Sequence, residues 1–234
     1  MNSKNTKNKH RNFSDIEEGL KIKSLISNSV FWRENMKSEE SLPQEEKCQY
    51  FDAIFSPRLE YFILQCLGPT IPSVSVFKAS LPVPHFHILL QNNTILKEKI
   101  ASTAFPQIKM FPVQVSGGYN AQVKLYLPPG LREDEITQYP LIVHVYGAPG
   151  SQLVTNIFKV DWNTYLASSK NFIVAQIDSR GSGGQGYKLL HEIHNRLGTV
   201  EVSDQLEVTE LFDLKFRCLL HIIGFLRRTG LNQL

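Results

Sequence analysis

No unbroken apolar run in the 234 residues reaches the ~18–20 positions that a membrane-spanning helix needs. The longest candidate, Phe216 to Leu226, is short and is interrupted by Arg217 and His221. The opening MNSKNTKNKHRNFSDIEEG is polar throughout and offers no apolar core for a signal peptide. Three cysteines are too few to hold a small fold together by bridges, and no CxxC pair suggests zinc. Fourteen glycines and twelve prolines exclude a collagen-like or low-complexity chain. An excess of one charge is lacking too: 25 basic residues against 22 acidic give +3, too slight to point to nucleic acid as the main partner. What is there is an ordinary globular mix, 42% hydrophobic and 20% charged, long enough to bury a core.

Residues 1–47 are polar, with charge clusters such as SEESLPQEEK and one weak helical stripe (Ile22, Leu25, Ile26, Val30), and read as a mostly flexible segment or as a remnant of a larger unit. From Cys48 the character changes. CQYFDAIF and EYFILQCLG read as two strands around a turn containing Pro57, followed by PSVSVF and HFHILL. Four short strands between Pro, Ser and Gly punctuation suggest one antiparallel sheet over residues 48–92, the size of a single β-propeller blade. Asn93–Ala101 reads as a short helix capped by Asn93 or Thr94. Beyond it the pattern over 93–216 is mixed α/β. Ile108–Val115 and Ala121–Leu127 alternate around a GGYN turn, and Leu141–Val145 and Phe172–Ile177 are short apolar strands. Residues 156–169 between them read as a helix with Trp162, Tyr165 and Leu166 facing inward, and 187–197 and 202–216 as further helices. Buried strands separated by helices are the mark of a parallel sheet, so the expected fold class is α/β.

Cys48 and Cys66 each lie nine residues from Pro57. In a hairpin centred there they face one another at about 4.5–5.5 Å between Cα atoms, within the range of a disulfide. The competing reading is two separate buried cysteines. Cys218 is left over as a free thiol.

Several segments could carry chemistry. GSGGQG (Gly181–Gly186) has the GxGxxG spacing of a dinucleotide loop, but it stands three residues beyond its strand and that strand is not the first of the sheet. A tight loop is the better reading. YGAPGSQ (Tyr146–Gln152) follows a buried strand, and ligands bind beyond such strand ends in open α/β sheets. A tyrosine hydroxyl there can donate to negative charge developing on a scissile carbonyl, although a packing tyrosine has the same sequence appearance. The histidines show no metal spacing: His85 and His87 alternate on a strand, His191 and His194 neighbour each other on a helix, and His144 sits in an apolar strand where it hydrogen-bonds within the sheet. Asn12 (NFS) and Asn92 (NNT) are glycosylation sequons. No cofactor motif is present, and no GxSxG nucleophile elbow occurs anywhere in the chain.

CQYF with QCLGPTIP, YPLIVHVYGAPGSQ, DWNTYLAS, DSRGSGGQG and RLGTVEVSDQ follow one another in order. Together they resemble the dipeptidyl peptidase IV branch of the prolyl oligopeptidase family of serine peptidases, from about Cys48 to about Phe216. The resemblance implies the N-terminal part of an α/β-hydrolase (catalytic) domain, 93–216, preceded by a remnant of one propeller blade, 48–92. It also implies that Cys48 and Cys66 are bridged and that Tyr146 is the catalytic tyrosine of the oxyanion hole. The family releases N-terminal Xaa-Pro or Xaa-Ala dipeptides through an acyl-enzyme, which makes peptides with penultimate Pro or Ala the implied substrates. It implies a homodimer or a full-length homologue as a protein partner, and a cell-surface or secreted location with glycosylation at Asn92. The polar start leaves that location open.

Departures from the family pattern matter as much. Ser179 replaces the first glycine of DGRGSG, an expected strain on that turn. Gly150 stands where active members carry Cys. Non-catalytic relatives that associate with potassium channels also have Gly there but lack the tyrosine, so Tyr146 favours descent from an active peptidase. After Phe216 the family continues to GWSYGG, roughly 80 residues beyond the tyrosine, whereas residues 217–234 read RCLLHIIGFLRRTGLNQL. The expectation is a fragment inactive by itself, with the serine, Asp and His of the triad beyond it; the alternative is a non-catalytic interaction protein.

Overall fold

A computed structural model describes residues 48–80, 84–132, 138–216 and 219–220. The segment 1–47, Asn12, Cys218 and most of the tail 217–234 lie outside the described residues. The chain divides into two units. One holds the described residues up to Glu98 with Asn156–Phe158; the other holds Lys99–Thr155 and the described residues from Lys159 onward. The boundary expected at residue 93 therefore falls a few residues early. Asn93 explains the difference, because its side-chain amide donates to the Pro72 carbonyl at 2.7 Å and ties the start of the following helix to the first unit.

The first unit is a four-stranded antiparallel sheet in sequence order: β1 (Tyr50–Phe55), β2 (Tyr61–Gly68), β3 (Ser73–Lys78) and β4 (His85–Gln91). Its register lines up one phenylalanine from each strand. Phe55 opposes Phe62, Phe62 opposes Phe77, and Phe77 opposes Phe86. Ring centroids stand 5.2, 5.4 and 5.8 Å apart along this row. Phe62, Leu64 and Phe77 are buried, with Phe51 and Ala53 packed against them. Aromatic pairs at these separations contribute about 0.5–1.5 kcal/mol each beyond their burial. Residues 156–158 return to this unit, where the Phe158 N–H donates to the Leu67 carbonyl at 2.8 Å.

In sequence β4 is followed by α1 (Thr94–Ala101). Neither Asn93 nor Thr94 caps it through its side chain as expected. Instead the Asn92 carboxamide oxygen accepts from the Thr94 N–H at 3.2 Å and hydroxyl at 2.6 Å, closing a local turn that leaves Asn93 left-handed at φ 54°.

The second unit is a five-stranded mixed sheet, order β5-β6-β8-β7-β9: β5 (Gln107–Val115), β6 (Tyr119–Leu127), β7 (Pro140–His144), β8 (Ile173–Asp178) and β9 (Leu219–Leu220). β5, β6 and β8 pair antiparallel, whereas β7 runs parallel to both β8 and β9. β8, sequence IVAQID, is buried at every position, as a central strand covered on both faces must be. One face carries Val123, Leu125, Val143, Ala175 and Ile177 against Val208 and Phe212 of the helix α4 (Val200–Phe216). The other carries Tyr126, Ile142 and Val174 against Ala167 of α2 (Trp162–Lys170). Helices on both faces of a largely buried sheet make this unit an α/β layer structure, the class expected.

The helix expected over 156–169 begins six residues later, because Asp161 caps it. The Asp161 carboxylate accepts from the backbone N–H groups of Asn163 and Thr164, and the Thr164 hydroxyl faces the Asp161 N–H in return. Starting there turns Trp162 and Tyr165 outward, 65% and 40% exposed with ring centroids 5.0 Å apart in a tilted pair, contrary to the inward facing expected. Asn163, Thr164 and Ala167 form the buried stripe, with Leu166 at its margin. The helix expected over 187–197 is cut to α3 (Tyr187–His191), and turns then lead through a left-handed Asn195.

Candidate functional site

Parallel β7 and β8 end side by side, and the loops that leave them are held together. Tyr146 lies two residues beyond β7 and is half-buried. Among the described residues its hydroxyl has no hydrogen-bond partner. Its backbone carbonyl accepts from the Ser151 hydroxyl at 3.2 Å, and the Ser151 N–H donates to Ala148 at 3.0 Å, so the segment 146–151 folds back on itself.

The segment after β8 is the mould for this loop. The Gly150 N–H donates to the Gly181 carbonyl at 2.9 Å, and the Gly183 N–H donates to the Ser151 carbonyl at 2.9 Å. A Cβ at Gly183 would stand 2.4 Å from the Gly150 carbonyl oxygen, so only glycine permits this approach. Asp178, the last residue of β8, accepts from the Leu153 N–H at 2.9 Å and the Val154 N–H at 2.9 Å. Burial pushes the Asp178 carboxyl above the usual carboxylate range, against the opposing pull of those two N–H groups. GSGGQG is thus a tight loop clasping its neighbour, and the short α3 begins only after it.

Ser179 does not strain this turn in the way the replacement of glycine by serine suggested. It is buried and outside the left-handed region; the left-handed residue is Gly181, at φ 91°. The carbonyl of Ser179 accepts the Ser182 hydroxyl at 2.7 Å. Next to it, Arg180 meets the fully buried Asp204 of α4 with its backbone N–H at 3.0 Å, Nε at 3.0 Å and Nη2 at 2.5 Å. Asp204 holds the Arg180 guanidinium above its ordinary pKa. Asp204 lies in the RLGTVEVSDQ block, and the structure places it in an ion pair with Arg180.

His144 bonds within the sheet layer. Its Nδ1 stands 3.2 Å from the Gln176 amide nitrogen, on the strand position directly opposite, and 3.2 Å from the Asn163 amide nitrogen of α2. His85 and His87 lie on β4, where the His87 ring stands 5.5 Å from Tyr61. His191 ends α3 stacked on Tyr187 at 5.9 Å, and His194 lies in the following turn and not on the helix. Among the described residues no group of three or more His, Cys, Asp and Glu is placed to hold a metal, and no helix is long and apolar enough to cross a membrane.

Cys48 and Cys66 belong to the first unit and are joined by a disulfide, with an S–S distance of 2.12 Å and Cα atoms 5.7 Å apart. They are not a directly opposed hairpin pair, however. The turn centres between Arg58 and Leu59, so Cys66 opposes Phe51, and a bulge at Tyr50/Phe51 lets Cys48, two residues before β1, reach across. Asn92 is exposed at the end of β4. Two residues that sequence reasoning missed are Asp178 and Lys124. The first carries a readable signal, an acid ending a buried strand before a glycine-rich turn. Lys124 carries none: it is buried on β6, and its ammonium donates to the Thr155 carbonyl at 3.0 Å.

Residues 158–216 match the family model described as the prolyl oligopeptidase family. The chain is 39% identical over 167 residues to dipeptidyl peptidase 4 of Sus scrofa, an alignment spanning 71% of this chain and 21% of that protein. It is 40% identical over 162 residues to inactive dipeptidyl peptidase 10 of Mus musculus, spanning 69% and 20%. Among solved structures it resembles dipeptidyl peptidase 4 of Porphyromonas gingivalis with a TM-score of 0.64 at 26% identity, covering 71% of this chain and 23% of that one. The chain spans about a fifth of the length of the curated relatives it matches. The family-model match takes in the glycine clasp and α4, and with these relatives beside it the chain belongs to the prolyl oligopeptidase family as a dipeptidyl peptidase 4-like member.

Proposed function

We propose that residues 99–216 carry the oxyanion side of a serine-type dipeptidyl peptidase site, acting on peptides with Pro or Ala in the second position. One observation carries this reading. The Tyr146 hydroxyl, at the mouth of a parallel strand and on a loop fixed by a neighbouring glycine clasp, has no hydrogen-bond partner among the described residues. In the reaction a serine attacks the scissile carbonyl, and the phenol donates to the oxygen as it becomes anionic, together with a backbone N–H. The donor costs little to reorganise because its loop is already held. No GxSxG occurs in the 234 residues, so they supply the oxyanion donor without the attacking serine.

Two measurements test the reading. Purified 1–234 should not turn over Gly-Pro-anilide; turnover blocked by a serine-directed inhibitor would overturn the expected inactivity. Residues 140–186 exchanged into dipeptidyl peptidase 4 of Sus scrofa should support turnover, and Tyr146→Phe in that chimera should lower kcat about 10²–10³-fold with KM little changed. Equal rates with Phe and Tyr would remove the tyrosine from the chemistry.

The similarity to an inactive dipeptidyl peptidase favours a second reading, a non-catalytic protein that binds a full-length homologue. Co-purification with such a homologue, together with an inactive chimera, would decide for it. Glycosylation at the exposed Asn92 belongs to either reading and shows as a mass shift removed by a glycosidase.

A further inference from the structure

The Tyr146 loop is hydrogen-bonded to one short segment, which is anchored by Arg180 on Asp204 of α4 and by the Gly181 N–H on the Leu189 carbonyl. Gly150 and Ser151 bond to Gly181 and Gly183, while Leu153 and Val154 bond to Asp178. Between these contacts sits Arg180, whose main chain and side chain are both gripped by the single carboxylate of Asp204. Asp204 projects from α4, which packs on the sheet through Val208 and Phe212. A fully buried carboxylate facing a nearly buried guanidinium in a fork is costly to desolvate. An apolar pair would fill the same space at less cost. What the charged pair supplies is direction, because a planar fork fixes the peptide that carries it.

We infer that Asp204 is a positioning residue for the Tyr146 loop, acting through Arg180 and the glycine clasp. It touches no substrate. Releasing Arg180 frees the Gly181 carbonyl and the Gly183 N–H that hold Gly150 and Ser151, and Ser151 in turn holds the Tyr146 carbonyl. The bearing of this on chemistry rests on the oxyanion reading of Tyr146; the clasp itself does not.

The test is amide hydrogen exchange on the full chain, with 3-fluorotyrosine placed at position 146 as a second reporter. Asp204→Asn keeps the shape and removes the charge. The expected result is at least tenfold faster exchange at Gly150 and Gly183, with Val123 and Leu125 of β6 changed less than threefold, and a displaced or broadened fluorine resonance. Arg180→Lys keeps the cation and the backbone contact but loses the fork, and should give the same pattern more weakly; it decides the matter if Asp204→Asn does not fold. Unchanged exchange at Gly150 and Gly183, an unchanged fluorine signal, or an equal rise at all amides would overturn the inference. Tyr146→Phe should leave the clasp amides protected whatever its effect on turnover, so failure of the oxyanion reading and failure of the clasp give different results.

Discussion

At residue scale, the second unit is governed by a few polar groups placed where water cannot serve them. Lys124 is the sharpest case. Burial lowers its pKa, Lys159 adds to the shift and Asp161 opposes it. A lysine depressed in the folded state is easier to protonate when unfolded, so stability is reduced at neutral pH and recovers as pH rises toward the ordinary lysine value of about 10.4. Urea melts between pH 7 and 10 should show that rise in the native chain and a flatter profile in Lys124→Met. The comparison stops at pH 10, because burial lifts the neighbouring Tyr126 hydroxyl to about 12 and drives stability down again as pH rises above 10. Gly183 supplies a steric counterpart. Gly183→Ala places a methyl 2.4 Å from the Gly150 carbonyl oxygen, and the expected loss of about 1–3 kcal/mol in a denaturant titration comes from overpacking alone. An unchanged midpoint would mean that the two loops part readily.

At the scale of elements, pairing and capping decided what periodicity alone left open. The strands of the first unit alternate visibly in the sequence, but the four-phenylalanine row exists only because their registers bring Phe55, Phe62, Phe77 and Phe86 onto one face. Phe62 stands at its middle, fully buried between two rings. Phe62→Ala should cost about 3–5 kcal/mol by denaturant unfolding. Combined with Phe77→Ala, the loss should fall short of the two single losses added, since they share a contact. In the second unit the buried strands β7 and β8 were legible as apolar runs, whereas α2 was misplaced. Its start depends on the Asp161–Thr164 capping box, and a capping box shifts the inward face of a short helix without changing its composition.

At the scale of the molecule, the covalent link and the division into units matter most. The disulfide closes a loop of 18 residues in sequence separation within the first unit. In the chain-entropy model such a closure stabilises by about 3 kcal/mol, so the Cys48→Ser, Cys66→Ser double variant should lose about that much in denaturant titration. Native chain treated with reductant should match it; a reductant-insensitive midpoint would show that the bridge contributes nothing. Sequence symmetry about Pro57 suggested that these cysteines face each other, but the register places Phe51 opposite Cys66. The pairing exists because a bulge and the two residues before β1 redirect the chain, and neither is written in the spacing of the cysteines.

Composition and pattern alone determined the class of this protein. Alternating strands followed by apolar strands and helices dictate α/β layers, and the ordered motif blocks carry the family, because burial and close backbone approach restrict residue type one position at a time. Only the tertiary structure decided which groups meet: Arg180 with Asp204, Asp178 with Leu153 and Val154, Gly183 with Gly150. These contacts join residues 24 to 33 positions apart, where no local propensity acts. Their partners are selected by strand order and by the need of each buried polar group for a mate.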